Sequence, residues 1–249
     1  MGEQALKLIR AIIPPTPKGD QNSLFIVGDA HQRIYARRAS MKVCGIDVVG
    51  RSRNLRLNYR TSEEIRQWAV SALEGVSVDD LDQGADNLSG YKSLFKGPAP
   101  EIHSFTTEVD ELDSLAGWTK AQVAADVRLS EIGILAASND QLDAIARKLK
   151  DEGVAFHRLR PNEKDDQSVD GVRLCTMHRA KGLEFRAVAI VYLSAGRYPP
   201  SFVIDQSVDD VDKREAVNRY RSLLHVAATR AKQELRVSYS GKPSALLPT

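Results

Sequence analysis

The sequence lacks the features of a secreted or membrane protein. It contains only two cysteines, Cys44 and Cys175, in 249 residues, too few for a disulfide framework or a cysteine-based zinc site. No apolar run is long enough to cross a bilayer, and the N-terminus does not show the basic and then apolar layout of a signal peptide. We therefore expect a cytoplasmic protein with no membrane partner, in which Cys175 is a small buried apolar residue.

A large excess of one charge is also missing. Charged residues make up 27% of the chain, and the formal net charge is only +2. A domain that binds nucleic acid through its overall field is usually clearly basic. Any contact with DNA must therefore depend on a few local side chains.

The sequence contains no G-x-x-x-x-G-K-S/T run. Its only Gly-Lys pair, Gly241-Lys242, is followed by Pro243. That run builds the P-loop, which cradles nucleotide phosphates and places a magnesium ligand. The residues present therefore predict that this chain alone does not hydrolyse ATP.

The sequence does contain short apolar runs that alternate with helical patterns. We predict strands at 101–105, 132–136, 154–159, 172–176, 187–192 and 235–239. We predict helices at 109–127, around 142–149 and at 210–231. This alternation is typical of an α/β fold with a mostly parallel sheet flanked by helices. Ligands of such folds lie at the carboxyl ends of the strands.

The first hundred residues have a weaker pattern. Residues 4–13 predict a helix, residues 24–27 a buried parallel strand, and residues 53–57 a second candidate strand. Thr61 and Glu64 have the spacing of a capping box, with Thr61 as the N-cap of the next helix. Residues 76–100 are rich in Asp, Gly, Ser and Asn and predict a loop or a partly disordered insert.

Two early stretches place polar groups after a predicted strand. Gln32 follows the run that ends at Gly28-Asp29; its amide can orient a water against a phosphate, or simply lie on a surface turn. Tyr59 offers a flat face for a base, and Arg60 offers five donors to phosphate oxygens. The structural alternative is a Tyr59 packed under the helix start and an Arg60 paired with Glu63 or Glu64.

Two later stretches have the same character. Thr176 and His178 follow the strand at 172–176 and could reach a nucleic-acid backbone, although a histidine there is more often a packed residue. Gly182 permits close approach of a ligand, and Glu184 could accept a hydrogen bond from a ribose hydroxyl. Arg230 ends a buried helical stripe, so it either caps a carboxylate or points at an anion in a cleft.

In order, these stretches read Gly-Asp-x-x-Gln-x-Ile-Tyr, Asn-Tyr-Arg-Thr, Thr-x-His-x-x-Lys-Gly-Leu-Glu-Phe and Val-Ala-x-Thr-Arg-Ala. They resemble motifs III to VI of the UvrD/Rep-like superfamily 1 DNA helicases, over roughly residues 3–240. The resemblance implies a second RecA-like lobe at 53–249, preceded at 1–52 by a remnant of the first lobe. Walker A and the Asp-Glu-x-Gln of Walker B are absent, and Met1 is expected a few residues after Walker B.

The resemblance also implies a role for each matching residue. Gln32 would sense the γ-phosphate and its attacking water, and two arginines would act as fingers worth roughly 10³ to 10⁵ in rate. The implied catalytic residues are Gln32, Arg60 and Arg230; the implied ATP-binding residues are Tyr59, Gly182 and Glu184; the implied DNA-binding residues are Tyr35, Arg37, Thr176 and His178. Arg37 stands where the family usually has a stacking tryptophan, and His225 where it commonly has tyrosine.

The expected activity is that of a motor lobe in an ATP-dependent DNA helicase, with 3′ to 5′ movement and DNA repair as family expectations. The implied partners are single-stranded or forked DNA and the first helicase lobe. The implied cofactors are ATP and, with that lobe only, Mg²⁺. About 115 residues separate the second and third motifs, which leaves little room for the accessory domain of full relatives. The alternative is a catalytically dead module that binds nucleotide or single-stranded DNA.

Overall fold

The secondary structure was taken from a computed structural model that describes residues 2–14, 23–28, 41–48, 50–53, 55–76, 90–161 and 163–248. The helices are α1 (Glu3–Ile12), α2 (Glu63–Ser71), α3 (Glu108–Ala124), α4 (Asn139–Asp151), α5 (Ser201–Asp205) and α6 (Asp210–Ala228). The strands are β1 (Leu57–Asn58), β2 (Lys92–Ser93), β3 (Glu101–Phe105), β4 (Ile132–Ala136), β5 (Phe156–Arg158), β6 (Val172–Thr176), β7 (Phe185–Ile190) and β8 (Ala231–Ser240). A 3-10 turn, Leu129–Glu131, precedes β4. Within these ranges, no helix has the length and apolar character needed to span a membrane.

Six strands form one parallel sheet in the order β3-β8-β7-β4-β6-β5. All five residues of β4 are buried, because a central parallel strand is covered by helices on both faces. This explains why the run at 132–136 is continuously apolar. The predicted α/β fold, a parallel sheet flanked by helices, is confirmed.

Separate apolar clusters cover the two faces of the sheet. On one face α2 and α6 pack against the sheet through residues such as Ile65, Leu223 and Val226. On the other face α3 packs through Leu115, and α4 packs through Leu142 and the other apolar residues of its stripe. The helical stripes in the sequence therefore mark the buried faces of these helices.

Gly133 in β4 allows an aromatic ring to pack directly on the strand. A Cβ atom added at this glycine would lie 2.5 Å from the ring of Phe185, the first residue of β7. No side chain fits there without moving the ring. Gly133 therefore leaves the space that the Phe185 ring occupies, next to Glu184 in the chain.

The predicted elements of the sheet agree well with the structure. The strands at 101–105, 132–136 and 172–176 are confirmed residue for residue. Strand ends elsewhere move by up to four residues, and the helix predicted at 210–231 ends at Ala228 because β8 begins at Ala231. The short helix α5 was not predicted from the sequence.

The predicted start of α2 is wrong by one residue. Ser62, not Thr61, is the N-cap, and its hydroxyl accepts from the Ile65 amide at 3.4 Å. The side-chain oxygen of Asn58 accepts from the amides of Arg60 and Thr61, at 2.8 and 3.3 Å. This turn holds Thr61 outside the helix, so the helix begins one position later than the spacing predicted.

The predicted buried strand at 24–27 is wrong. Residues 24–28 have no regular structure, and Phe25 is 93% exposed. Leu24 and Ile26 instead pack against a small cluster of Leu6, Cys44 and Ile46. A buried parallel strand needs hydrogen-bonded neighbours on its edges, and the described part of the chain pairs no strand with this run.

The remaining predictions for the first hundred residues are confirmed only in part. The strand predicted at 53–57 is wrong in extent, because β1 covers only Leu57–Asn58 and pairs with β2 at Lys92–Ser93. That pairing also places a short strand inside the predicted insert at 76–100. Residues 54 and 77–89 lie outside the described residues. The boundary between residues 52 and 53 stays a prediction.

Candidate functional site

Three of the predicted site residues meet at the amino-terminal edge of the sheet. Glu184 immediately precedes β7, and Arg230 immediately precedes β8, its neighbour in the sheet. The Ser62 amide donates to the Lys232 carbonyl at 3.2 Å, which brings the segment with Arg60 to the same place. Glu184 and Arg230 lie on connections that enter β7 and β8, and Arg60 lies between β1 and α2, so these three residues are not at the carboxyl ends of the six-stranded sheet, where ligands of such folds usually lie.

Glu184 lies between two cationic side chains. Its Oε1 pairs with Nε of Arg60, and its Oε2 lies 3.1 Å from Nζ of Lys232. All three side chains are between 32% and 47% exposed, so solvent and ligands can reach the pairs. The structural alternative for Arg60 is wrong, because Glu63 pairs with Arg66 and Glu64 accepts from the Gly97 amide at 2.7 Å.

Arg230 lies just below this surface and is only 1% exposed. Its guanidinium donates to the carbonyls of Val226 at 2.9 Å and Leu183 at 3.2 Å, and to the Thr229 hydroxyl at 3.1 Å. The Arg230 carbonyl accepts from the Phe185 amide at 2.9 Å. The segment 183–185 therefore holds Arg230 at both its side chain and its main chain, directly beside Glu184.

Tyr59 and Gly182 flank the same edge. Tyr59 is 68% exposed, so the alternative of a tyrosine packed under the helix start is wrong. Gly182 has a φ of +89°, and a Cβ atom added there would meet nothing within 4 Å. Its backbone is thus open to a ligand, and its positive φ favours glycine.

Thr176 and His178 lie at the opposite, carboxyl-terminal edge. Thr176 is the last residue of β6, and its hydroxyl accepts from the Arg179 amide at 3.2 Å. The Ala180 amide donates to the Thr176 carbonyl at 3.0 Å, which closes a tight turn. Desolvation lowers the pKa of His178 below its ordinary value, so the ring is neutral near pH 7.

One short connection joins the two edges. Residues 177–184 run from the end of β6 to the start of β7, with β4 lying between these strands in the sheet. At one end the connection follows Thr176 and carries His178, and at the other end it carries Gly182 and Glu184. Because only eight residues separate the two edges along the chain, a displacement at one edge can be passed on to the other.

Three predicted site residues, Gln32, Tyr35 and Arg37, lie outside the described residues. Lys232 was not among the predicted site residues. Its position two residues after Arg230 is the one sequence feature that could have indicated it. His225, the position at which the family commonly has tyrosine, is buried, and its Nδ1 lies 2.8 Å from the Ala69 carbonyl. Because a carbonyl only accepts, Nδ1 carries the proton and ties α6 to α2.

Over the residues that the structure describes, no group of three or more His, Cys, Asp or Glu side chains could hold a metal ion. The amino-terminal edge instead carries more basic than acidic side chains at the candidate site. Arg60 and Lys232 pair with the Glu184 carboxylate, and Arg230 donates to the carbonyl of the adjacent Leu183. These cationic side chains outnumber the carboxylate, and such an excess suits an anionic ligand.

Comparison with known proteins identifies helicases as relatives of this chain. Residues 154–242 match the family model of the UvrD-like helicase C-terminal domain. The ATP-dependent DNA helicase UvrD2 of Mycobacterium tuberculosis is 36% identical over 239 residues, which cover 95% of this chain and 30% of the relative. DNA helicase II of Escherichia coli is 37% identical over 71 residues, covering 28% of this chain and 9% of the relative.

A solved structure shares the fold. The C-terminal domain of a possible DNA helicase from Lactobacillus plantarum superposes with a TM-score of 0.54 at 18% identity, over 76% of this chain and 92% of that one. At this identity the likeness concerns the fold alone. The family model, the mycobacterial relatives and the order of the four motifs agree, and the chain carries a UvrD-like helicase C-terminal domain.

Proposed function

We propose that this chain is the second motor lobe of an ATP-dependent DNA helicase or translocase, and that it completes a nucleotide site whose P-loop lies on a first lobe. One observation carries the proposal. Arg60, Glu184 and Arg230, which are far apart in sequence, meet at the amino-terminal edge of β7 and β8. The family expectation of 3′ to 5′ movement is part of the proposal.

On the nucleotide side, Glu184 would accept hydrogen bonds from the ribose hydroxyls, and Tyr59 would stack on the base. Ribose binding would compete for the carboxylate oxygens that now pair with Arg60 and Lys232. Arg60 would then be released toward the γ-phosphate, where a guanidinium stabilises the charge that develops during transfer.

Arg230 would act as the second finger. Its Nη1 now donates to the Leu183 carbonyl and its Nη2 to the Thr229 hydroxyl, so reaching a phosphate means exchanging these two contacts. The Nε bond to Val226 can persist and keep the side chain aligned. Gln32 would orient the attacking water, and Mg²⁺ would bind with the first lobe and neutralise the phosphates.

On the DNA side, Thr176 and His178 would contact the backbone of a single strand at the carboxyl-terminal edge, with Tyr35 and Arg37 stacking on bases. The 177–184 connection would transmit nucleotide binding to this contact, because Gly182 and Glu184 lie at its other end. Nucleotide state and grip on DNA would thereby change together.

The DNA half of the proposal is tested on this chain alone, by fluorescence anisotropy with a labelled oligo-dT. We expect measurable binding, a loss of about fivefold to tenfold in affinity for Thr176→Val and for His178→Ala, and no ATP hydrolysis with or without DNA. Arg186→Ala is the matched control, because Arg186 contacts Gln233 and the Asp126 carbonyl, away from Thr176 and His178, and it should leave DNA affinity unchanged. Turnover of ATP by the chain alone contradicts the proposed half site.

The nucleotide half is tested in a protein that carries this segment together with a P-loop lobe. Arg60→Ala and Arg230→Ala should each lower kcat for DNA-stimulated ATP hydrolysis by about 10³ or more, with little change in KM. Glu184→Gln should instead raise KM for ATP and leave KM for the 2′-deoxy analogue closer to its wild-type value. Equal effects of all three substitutions on kcat would contradict the separate roles.

A further inference from the structure

The connection between β5 and β6 is irregular where a parallel sheet usually has a helix. The two strands are parallel neighbours, and a crossover between such strands is usually an α-helix packed on the sheet. Here residues 160–171, the 160–171 loop, contain neither helix nor strand in the described part. None of its described apolar side chains is buried, and Val169 is 38% exposed. Apolar packing therefore does not hold this loop in place.

Two arginines hold it instead. Arg173 in β6 is fully buried, and it donates to a carboxylate oxygen of Asp165 at 2.9 Å and to the carbonyls of Asp166, Val169 and Gly171 at 2.6 to 2.7 Å. Each guanidinium nitrogen thereby finds an acceptor on the loop, which compensates for the loss of solvent around the group.

The second arginine, Arg179, belongs to the turn that carries Thr176 and His178. Its Nε donates to the Arg160 carbonyl at 2.9 Å, and its Nη2 donates to the Glu163 carbonyl. Both arms of the side chain thus bind the main chain of the 160–171 loop. The turn is fixed to β6 at one end and to the loop at its middle.

We propose that Arg179 is a positioning residue for DNA binding: by tying the turn to the 160–171 loop, it holds Thr176 and His178 in the geometry that meets a DNA backbone. Arg173 acts one step further away, because it holds the loop to which Arg179 is tied. This proposal rests on the proposed function, in which Thr176 and His178 contact DNA. It assigns Arg179 no contact with DNA.

Two other roles for Arg179 make different predictions. An arginine that touches a phosphate directly contributes one released counterion, worth about 0.7 in the slope of log K against log salt for a single strand. An arginine of structural importance alone affects the stability of the fold and leaves DNA affinity unchanged. A positioning residue changes affinity and leaves the salt slope as it is.

The test measures oligo-dT affinity of this chain and its variants by anisotropy between about 50 and 200 mM salt. Arg179→Ala and Arg179→Lys should each weaken binding about tenfold, since all the donors of a lysine leave one nitrogen and lack the planar fork that reaches the two carbonyls from Nε and Nη2. Their salt slopes should equal that of the wild type. Arg186→Ala is the matched control, because Arg186 also makes two hydrogen bonds, to Gln233 and to the Asp126 carbonyl, away from the turn.

Asp165→Asn sharpens the test, because two accounts predict opposite signs. Removing an acidic charge near the DNA-binding edge should tighten binding if only the electrostatic field matters. Loosening the loop that Arg173 holds should weaken binding, by about twofold to fivefold, if position matters. The proposal is overturned if Asp165→Asn binds more tightly, or if both Arg179 variants keep wild-type affinity. It is also overturned if Arg179→Lys keeps wild-type affinity while the salt slope of Arg179→Ala falls by about 0.7.

Hydrogen exchange gives a second readout that needs no DNA. Arg179→Ala should speed exchange both in residues 163–171 and in residues 177–181, whereas Arg186→Ala should leave both segments unchanged. Unchanged exchange at 177–181 overturns the proposal. If the wild-type chain does not bind oligo-dT, the proposed function fails, and the exchange comparison still decides whether Arg179 couples the turn to the loop.

Discussion

Two arginine–carboxylate pairs in this protein have the same chemistry and opposite surroundings. Arg173 in β6 and Asp165 in the 160–171 loop have side chains that are 0% and 9% exposed. Arg60 and Glu184, at the amino-terminal edge, are 44% and 32% exposed. The first pair is enclosed by the loop that it holds, and the second is open to solvent on the surface where a nucleotide would bind.

The difference shows what each pair is suited to do. A buried pair cannot be separated without leaving a charge in a medium of low dielectric constant, so it serves to fix structure. An exposed pair contributes little to stability and can exchange one partner for a ligand. Burial thus distinguishes these two pairs: the enclosed Arg173 holds a loop, whereas the carboxylate beside the exposed Arg60 can exchange its partner for a ligand.

The largest effect expected from this comparison is that of Arg173→Met. The substitution leaves Asp165 and three main-chain carbonyls without their donor, and the free energy of unfolding should fall by about 3–5 kcal/mol. Urea denaturation followed by circular dichroism measures it. A loss below about 1 kcal/mol would show that the enclosed pair behaves like an exposed one, and the comparison would fail.

An intermediate effect is expected for Glu63, which pairs with Arg66 in α2 with side chains 20% and 14% exposed. Hydrogen bonds from Arg66 and the Ser93 amide lower the pKa of Glu63 to about 2. Because the folded-state pKa is depressed, this stabilisation is present above about pH 4.5 and is lost as the pH falls toward 2. Glu63→Gln should remove about 1–3 kcal/mol of the unfolding free energy at neutral pH and flatten its decline between pH 5 and 2. A variant with an unaltered acid limb would contradict this.

The smallest effect on stability is expected for Arg60→Met. Solvent screens the exposed pair with Glu184, and Lys232 remains beside the carboxylate, so the unfolding free energy should change by less than about 1 kcal/mol. The same denaturation measurement checks it. A loss as large as that of Arg173→Met would show that this pair is part of the architecture and is not held ready for a ligand.

The strands and helices of the sheet were predicted well because apolar runs and helical spacing can be recognised within a short stretch of sequence. The runs at 101–105, 132–136 and 172–176 are strands in the structure, since a strand enclosed on both faces must be apolar along its length. The same rule failed at 24–27. An apolar run predicts burial, and whether it becomes a strand depends on neighbours that the run itself does not specify.

The motifs brought Arg60, Glu184 and Arg230 into one predicted site, and the structure places them together at the amino-terminal edge of β7 and β8. The general rule for α/β folds, which expects ligands at the carboxyl edge, did not indicate this location. The roles of Arg173 and Arg179 were not predicted. Their acceptors are mainly carbonyl oxygens of an irregular loop, and no sequence pattern specifies which carbonyls a loop will turn toward an arginine.

The most direct test of the two-edge arrangement is a hydrogen-exchange footprint of this chain with and without saturating oligo-dT. We expect DNA to slow exchange in residues 177–181, at the carboxyl-terminal edge. Exchange in residues 59–62 and 230–232, at the amino-terminal edge, should stay unchanged. A footprint centred on 59–62 and 230–232, with no change at 177–181, would contradict the assignment of DNA and nucleotide to opposite edges of the sheet.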